Sequence, residues 1–198
     1  MKRFFDIVVS SLGLVVFAPV WAVAAAAIKL EDGGPVFFPQ ARVGRGGVAF
    51  KAYKFRSMMV DAGDTRRQAS RYDDRITRVG RVLRATAMDE LPQLWNIFRG
   101  DMSVVGPRPL MPGEIEVQGD GRPVALEAVP GFARRHAVRP GLTGLTQVFA
   151  PRDVSRARKF RFDLLYIGRA NLCLDVRLVM LSFWITLRGR WEQRGPKI

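Results

Sequence analysis

The sequence contains one cysteine, Cys173, and one histidine, His136. A single cysteine rules out an intrachain disulfide, and with one histidine no Cys/His zinc cluster can be assembled. A Ser-His-Asp triad would have to use His136. A lone thiol fits a reducing compartment. Acidic side chains are scarce: 18 Asp and Glu stand against 32 Lys and Arg, a formal net charge of +14. There is no internal repeat, no low-complexity tract and no P-loop lysine pattern. Asp73-Asp74 lacks the intervening residue of a D-x-D metal motif.

Hydrophobic residues make up 48% of the 198 residues, enough for a packed core and against disorder. The positive excess predicts attraction to anions: nucleic acid, anionic lipid or phosphorylated substrates. No helix-turn-helix, zinc-finger or RNA-binding aromatic motif is present, so no nucleic-acid partner is expected.

Phe4 to Ile28 is almost wholly apolar. As one straight helix it would measure about 37 Å, enough for a hydrocarbon core of roughly 30 Å. Three readings compete: a cleaved signal peptide, a single span, and a re-entrant helix that bends and returns. Asp6 inside the run speaks against the first. Lys2 and Arg3 favour a cytoplasmic N-terminus, and the basic remainder favours the same side. Pro19 lacks an N–H and clashes with the Val15 carbonyl, so a kink is expected. Charge alone does not separate crossing from re-entry.

Beyond a charged exit at Lys29–Pro35, Val36–Phe38 and Val48–Phe55 read as strands around Gly44-Arg45-Gly46-Gly47. That turn also fits G-x-G-x-x-A, but an extended stretch follows where a dinucleotide site needs a helix, so a hairpin is the better reading. Met59–Arg71 reads as helical or flexible. Ile76–Arg84 has the spacing of an amphipathic helix, and Thr86–Phe98 reads as a second helix ended by Gly100. Gly106–Pro109 is rigid and non-helical. Pro112–Pro130 reads as loop with some helix, and Arg139–Val148 carries a Pro/Gly turn. Asn171–Leu187, with Trp184 and Trp191 near its end, reads as an interfacial amphipathic helix, with a buried core helix as the alternative.

Asp89 and Glu90 are adjacent carboxylates. Pro92 is tolerated only near a helix start, which places both in a first turn beside free N–H groups. Anions are favoured at the same place. Such a pair is ordinarily a cap. Arg108, between Pro107 and Pro109, is pushed toward extended backbone and could grip phosphate bidentately. Lys54 and Arg56 flank Phe55 at a strand end, where alternation puts both on one face.

The run TAMDELPQLWNIFRGDMSVVGPRPL (Thr86–Leu110) closely resembles the bacterial sugar transferases, the monotopic phosphoglycosyl transferases. So do KRFFDIVVS, PVFFPQARVG, YKFRSM, DDRITRVGRVLR, VRPGLTGLTQV and FDLLYI, in order along almost the whole chain. The resemblance implies an α+β fold, mostly helical, with a re-entrant membrane helix over 1–30. A catalytic domain over 31–198 would carry a short β-hairpin and interfacial amphipathic helices around a site at the cytoplasmic face of the bacterial inner membrane. It implies that Asp89 attacks the sugar-linked phosphate of a UDP-sugar, expels UMP, and passes the sugar phosphate to polyprenyl (undecaprenyl) phosphate in exopolysaccharide or glycoconjugate synthesis. Glu90 would help hold Mg²⁺ with Asp89, Arg108 would grip phosphates, and Lys54, Arg56, Arg139 and Asp163 match polar family positions near the site. Pro19 matches the break of the membrane helix. Ala18 stands where the family often has serine, and VFAPRDVS after Gln147 departs from the usual VNGRN, so the sugar is not specified. Two rival readings are a single-span glycosyltransferase that releases UDP and a non-enzymatic, membrane-tethered basic module.

Overall fold

The computed structural model describes residues 1–60, 73–117, 122–151 and 154–188. The chain starts with two helices, α1 (Lys2–Val16) and α2 (Ala18–Asp32), bent by 57° at Phe17. Pro19 occupies the first turn of α2, where its missing N–H leaves no bond unmade, so the expected kink falls just ahead of it. No single helix among the described residues is long and apolar enough to cross a membrane; the bent pair together is.

The polar residues of α1 are spent on the rest of the chain. Asp6 is buried, and its Oδ1 accepts from Ser103 Oγ at 2.8 Å and from the Val104 N–H at 2.9 Å. Lys2 Nζ reaches Asp175 at 2.8 Å, and the Tyr166 hydroxyl donates to the same carboxylate at 2.7 Å. Arg3 donates to the carbonyls of Ile97 at 2.5 Å and Phe98 at 2.6 Å, where a helix C-terminus attracts a cation. Phe4, Leu12, Val15 and Val16 remain exposed on the outer face.

Strands β1 (Phe37–Val43) and β2 (Ala49–Phe55) form the expected antiparallel hairpin, with Val43 opposite Ala49. Its 3-10 turn at Arg45–Gly47 carries Gly46 and Gly47 at φ of 68° and 81°, which glycine adopts without strain. Helix α3 (Arg78–Ala85) follows, with Thr77 accepting from the Gly80 N–H at 2.9 Å.

The helix expected over Thr86–Phe98 is broken. Ala87 takes a left-handed conformation at φ 55°, Met88–Glu90 form a 3-10 turn, and α4 (Gln93–Arg99) starts only after Pro92. Asp89 and Glu90 therefore lie one turn before α4, not in its first turn. Gly100 ends α4 at φ 97° as expected.

Strand β3 (Ser103–Val105) pairs in parallel with β6 (Gly141–Thr143). Between them, the segment expected as loop with some helix, Pro112–Pro130, holds the antiparallel strands β4 (Ile115–Val117) and β5 (Pro123–Ala125) and a 3-10 turn at Leu126–Ala128; α5 (Phe132–Arg135) follows it. After β6 come α6 (Leu145–Phe149), α7 (Arg156–Arg169) and α8 (Leu172–Leu187). Asn171 caps α8 through the Leu174 N–H at 2.9 Å.

Leu94, Ile97, Met102, Val104, Val105, Val148, Leu178 and Ile185 form the main core, with Phe5, Val9 and Leu14 of α1 packed on it. Helix α8 has one face in the core and one outside it: Asp175, Leu178 and Ile185 are buried, whereas Val176, Met180, Phe183, Trp184 and Leu187 are exposed. Most of Met59–Arg71, read above as helical or flexible, lies outside the described residues, as does Trp191.

The Asp6 bonds make α1 part of the core. Asp6→Ala leaves the buried Val104 N–H and Ser103 hydroxyl without this acceptor and is expected to lower stability by roughly 2–4 kcal/mol. Thermal unfolding in detergent measures it; a change below about 0.5 kcal/mol, the usual size of a surface substitution, would contradict it.

Candidate active site

Three segments distant in sequence meet at Glu90. The 3-10 turn supplies Glu90 with Asp89 beside it, β2 supplies Lys54, and the Gly106–Pro109 segment supplies Arg108. Lys54 Nζ lies 2.6 Å from Glu90 Oε1, and Arg108 Nη2 lies 3.2 Å from the same oxygen. The local sequence enforces this. Left-handed Ala87 and Pro92 hold the acidic turn off the helix axis, and two prolines stiffen the backbone on either side of Arg108.

The hairpin register places Phe38 opposite Lys54 and Arg42 opposite Phe50, so Arg42 and Lys54 share one face. Arg42 lines a small cavity with Lys54, Glu90, Gln93 and Arg108, and donates to the Pro109 carbonyl at 3.2 Å. Burial, with the nearby Arg108 charge, brings Arg42 down to about 10. Arg42 and Gln93 were not singled out in the sequence. For Arg42 the signal was available, because it lies on the Lys54 face once the hairpin is registered.

The two carboxylates are driven apart. Burial, aided by the Glu90 charge, pushes Asp89 up to about 6 against the opposing pull of Lys54, Arg84 and Arg108. Burial acts on Glu90 in the same direction, but Lys54 and Arg108 outweigh it and hold Glu90 well below the usual carboxylate range. Glu90 is thus a fixed anion and Asp89 a carboxylate poised to ionise near neutrality.

Other expected site residues lie elsewhere. Arg56 does not join Lys54, because β2 ends at Phe55 and the alternation stops there. Its guanidinium instead forks onto the carboxylate of Asp32, with Nη1 2.7 Å from Oδ2, and donates to the Pro35 carbonyl at 2.7 Å. Arg139 donates to the Gly100 carbonyl at 2.7 Å, at the far end of α4 from the acidic turn. Asp163 is buried and paired with Arg135 at 2.9 Å. Pro19 lies in the helix break.

Among the described residues no group of three or more His, Cys, Asp or Glu side chains converges on a metal position. Asp89 and Glu90 alone would offer a hard divalent cation two carboxylates. Such a donor set suits Mg²⁺ when phosphate oxygens and water complete the shell.

The bacterial sugar transferase family profile matches residues 1–189. The chain belongs to this family. It is 43% identical over 186 residues to the exopolysaccharide production protein PSS of Rhizobium leguminosarum bv. phaseoli, covering 90% of this chain and 91% of that protein. It is 42% identical over 185 residues to the UDP-glucose:undecaprenyl-phosphate glucose-1-phosphate transferase of Caulobacter vibrioides, covering 90% of this chain and 67% of the relative. It is 39% identical over 194 residues to the UDP-N-acetylgalactosamine-undecaprenyl-phosphate N-acetylgalactosaminephosphotransferase of Aeromonas hydrophila, covering 96% of this chain and 44% of the relative. The chain spans from 35% to 91% of the length of such curated relatives.

The raised Asp89 has a stability consequence. Between its ordinary value of 3.8 and about 6, the folded chain holds a proton that the unfolded chain has released. Stability therefore falls as pH rises through that window and is flat, for this group, above it. Asp89→Asn removes the dependence. Unfolding curves of both proteins from pH 4 to 7 check it: the variant is expected to gain on the parent with rising pH, and parallel curves would contradict the assignment.

Proposed function

We propose that this chain transfers a sugar phosphate from a UDP-sugar to polyprenyl phosphate, with Asp89 as the covalent nucleophile. The observation that carries the reading is the convergence of Lys54 and Arg108 on one oxygen of Glu90, directly beside the half-buried carboxylate of Asp89, pushed up to about 6. Phosphoryl transfer needs positioning and charge neutralisation above all, and this cluster offers both. The names of the relatives supply the donor and acceptor classes. One is named for glucose phosphate and another for N-acetylgalactosamine phosphate at similar identity, so family membership leaves the sugar open.

In the first step an Asp89 oxygen bonds to the sugar-linked phosphorus. The bond from that phosphorus to the bridging oxygen breaks, and UMP leaves with the electron pair. In the second step a phosphate oxygen of polyprenyl phosphate bonds to the same phosphorus, the bond from phosphorus to the Asp89 oxygen of the acyl phosphate breaks, and the carboxylate leaves with the electron pair. Arg108, Lys54 and Arg42 hold the diphosphate oxygens while charge shifts toward the leaving group. Asp89 and Glu90 are the residues that would hold Mg²⁺, which when bound neutralises charge on the transferring group.

The same reading sets the chain in the bacterial cytoplasmic membrane, with the catalytic part on the cytoplasmic face. The bent helix pair acts as a re-entrant anchor, its outer face carrying Phe4, Leu12, Val15, Val16 and Val23. Exposed Met180, Phe183 and Leu187 of α8 add a second apolar strip, and the +14 charge favours anionic headgroups. Such an anchor brings a soluble sugar nucleotide and a membrane-bound acceptor to one site.

Incubation with UDP-sugars and polyprenyl phosphate tests the reading. UMP release is expected, and Asp89→Asn is expected to reduce it by on the order of 10³-fold or more. Release of UDP instead of UMP, or full turnover by Asp89→Asn, would overturn it. The first-step rate is expected to rise with pH through about 6, as Asp89 ionises.

A further inference from the structure

Resting on the function proposed above, we infer that Arg135 and Asp163 are a positioning pair that fixes the Arg108 backbone, so that the Arg108 guanidinium meets the substrate diphosphate. Arg135, at the end of α5, is 2% exposed, and Asp163, within α7, is 3% exposed. Arg135 Nε donates to Asp163 Oδ2 at 2.9 Å, and its Nη2 donates to the Arg108 carbonyl at 2.7 Å. Its Nη1 lies 3.2 Å from His136 Nε2, and its guanidinium carbon lies 4.7 Å from the Phe160 ring centre. The other Asp163 oxygen accepts from Thr146 Oγ1 at 2.5 Å. Both carboxylate oxygens are engaged inside the protein.

A buried ion pair is often no more stabilising than apolar side chains of the same volume. This one has an output. Three consecutive carbonyls are held here: Pro107 accepts from the Gly141 N–H at 2.9 Å, Arg108 accepts from Arg135, and Pro109 accepts from Arg42 at 3.2 Å. The Arg108 side chain, by contrast, is 49% exposed and reaches Glu90 at 3.2 Å. Its backbone is pinned and its guanidinium is presented, which is how a fixed clamp gains geometric precision. Arg135 and Asp163 touch no reacting atom; they act through Arg108.

A double-mutant cycle separates positioning from plain stability. The pair is replaced together, Arg135→Met with Asp163→Leu, in the parent and in an Arg108→Ala background, and UDP affinity and kcat/KM for the UDP-sugar are measured in nanodiscs. The replacement is expected to fold with a melting temperature within about 4 °C of the parent. It is expected to weaken UDP binding about tenfold, the loss tied to one charge-assisted hydrogen bond. In the Arg108→Ala background it is expected to change affinity less than about twofold. Arg135→Lys, which keeps the charge but not the fork, is expected to fall between. A tenfold loss that persists without Arg108, a loss that tracks a falling melting temperature, or a pair replacement that does not fold would make the pair structural and overturn the inference. UMP release by the parent reports on the proposed function alone, whereas the affinity cycle needs no turnover.

Discussion

One oxygen of Glu90 organises the site. Lys54 from the hairpin and Arg108 from the proline-flanked segment both bond to it, at 2.6 and 3.2 Å. This shared contact ties together parts of the chain dozens of residues apart and aligns their cations on one small space. Arg42 adds a third cation to two carboxylates, which formally leaves positive charge in excess when both are ionised. A diphosphate matches such an excess in charge and in hydrogen-bonding geometry. The asymmetry of the carboxylates follows from the same arrangement: burial acts on both, but the ion pairs outweigh it at Glu90, while at Asp89 burial and the Glu90 charge outweigh the cations.

The fold serves to hold that arrangement rigid. Gly106 and Gly141 bring the β3 and β6 segments so close that a Cβ on Gly141 would lie 2.0 Å from the Gly106 nitrogen. The carbonyls after Gly106 are then pinned one by one, ending at Arg42 on the Lys54 face of the hairpin. At the acidic turn, left-handed Ala87 stores strain beside the proposed nucleophile, where strained backbone is most often found. The N-terminal helices belong to the same body. Asp6, Lys2 and Arg3 fasten α1 to β3, α8 and the end of α4, so the proposed anchor would fix the height of the site as well.

Elements with local chemistry were legible in the sequence. Gly46 and Gly47 marked the hairpin, Gly100 marked the end of α4, and Pro19 marked the bend. Elements set by tertiary contact were not. An alanine gives no sign of a left-handed conformation, so the break at Ala87 was invisible and Thr86–Phe98 read as one helix. Alternation placed Arg56 beside Lys54, but the strand stops at Phe55 and the Asp32 carboxylate captures the guanidinium. Lys2 and Arg3 read as topology charges, yet they bond to the core. Asp89 and Glu90 looked like a cap by residue type; the resemblance implied a catalytic role for them, and the structure brings Lys54 and Arg108 onto Glu90. Nothing local pointed to Arg135, whose partners come from α7 and from the Arg108 backbone.

In the proposed reaction the Asp89 carboxylate becomes an acyl phosphate. Intact-protein mass spectrometry after mixing the membrane-reconstituted chain with a UDP-sugar, without acceptor lipid, tests it most directly. A mass gain of one sugar phosphate is expected, confined to the peptide holding Asp89 and discharged when polyprenyl phosphate is added. An unmodified mass during active turnover, or an adduct on a different residue, would contradict it.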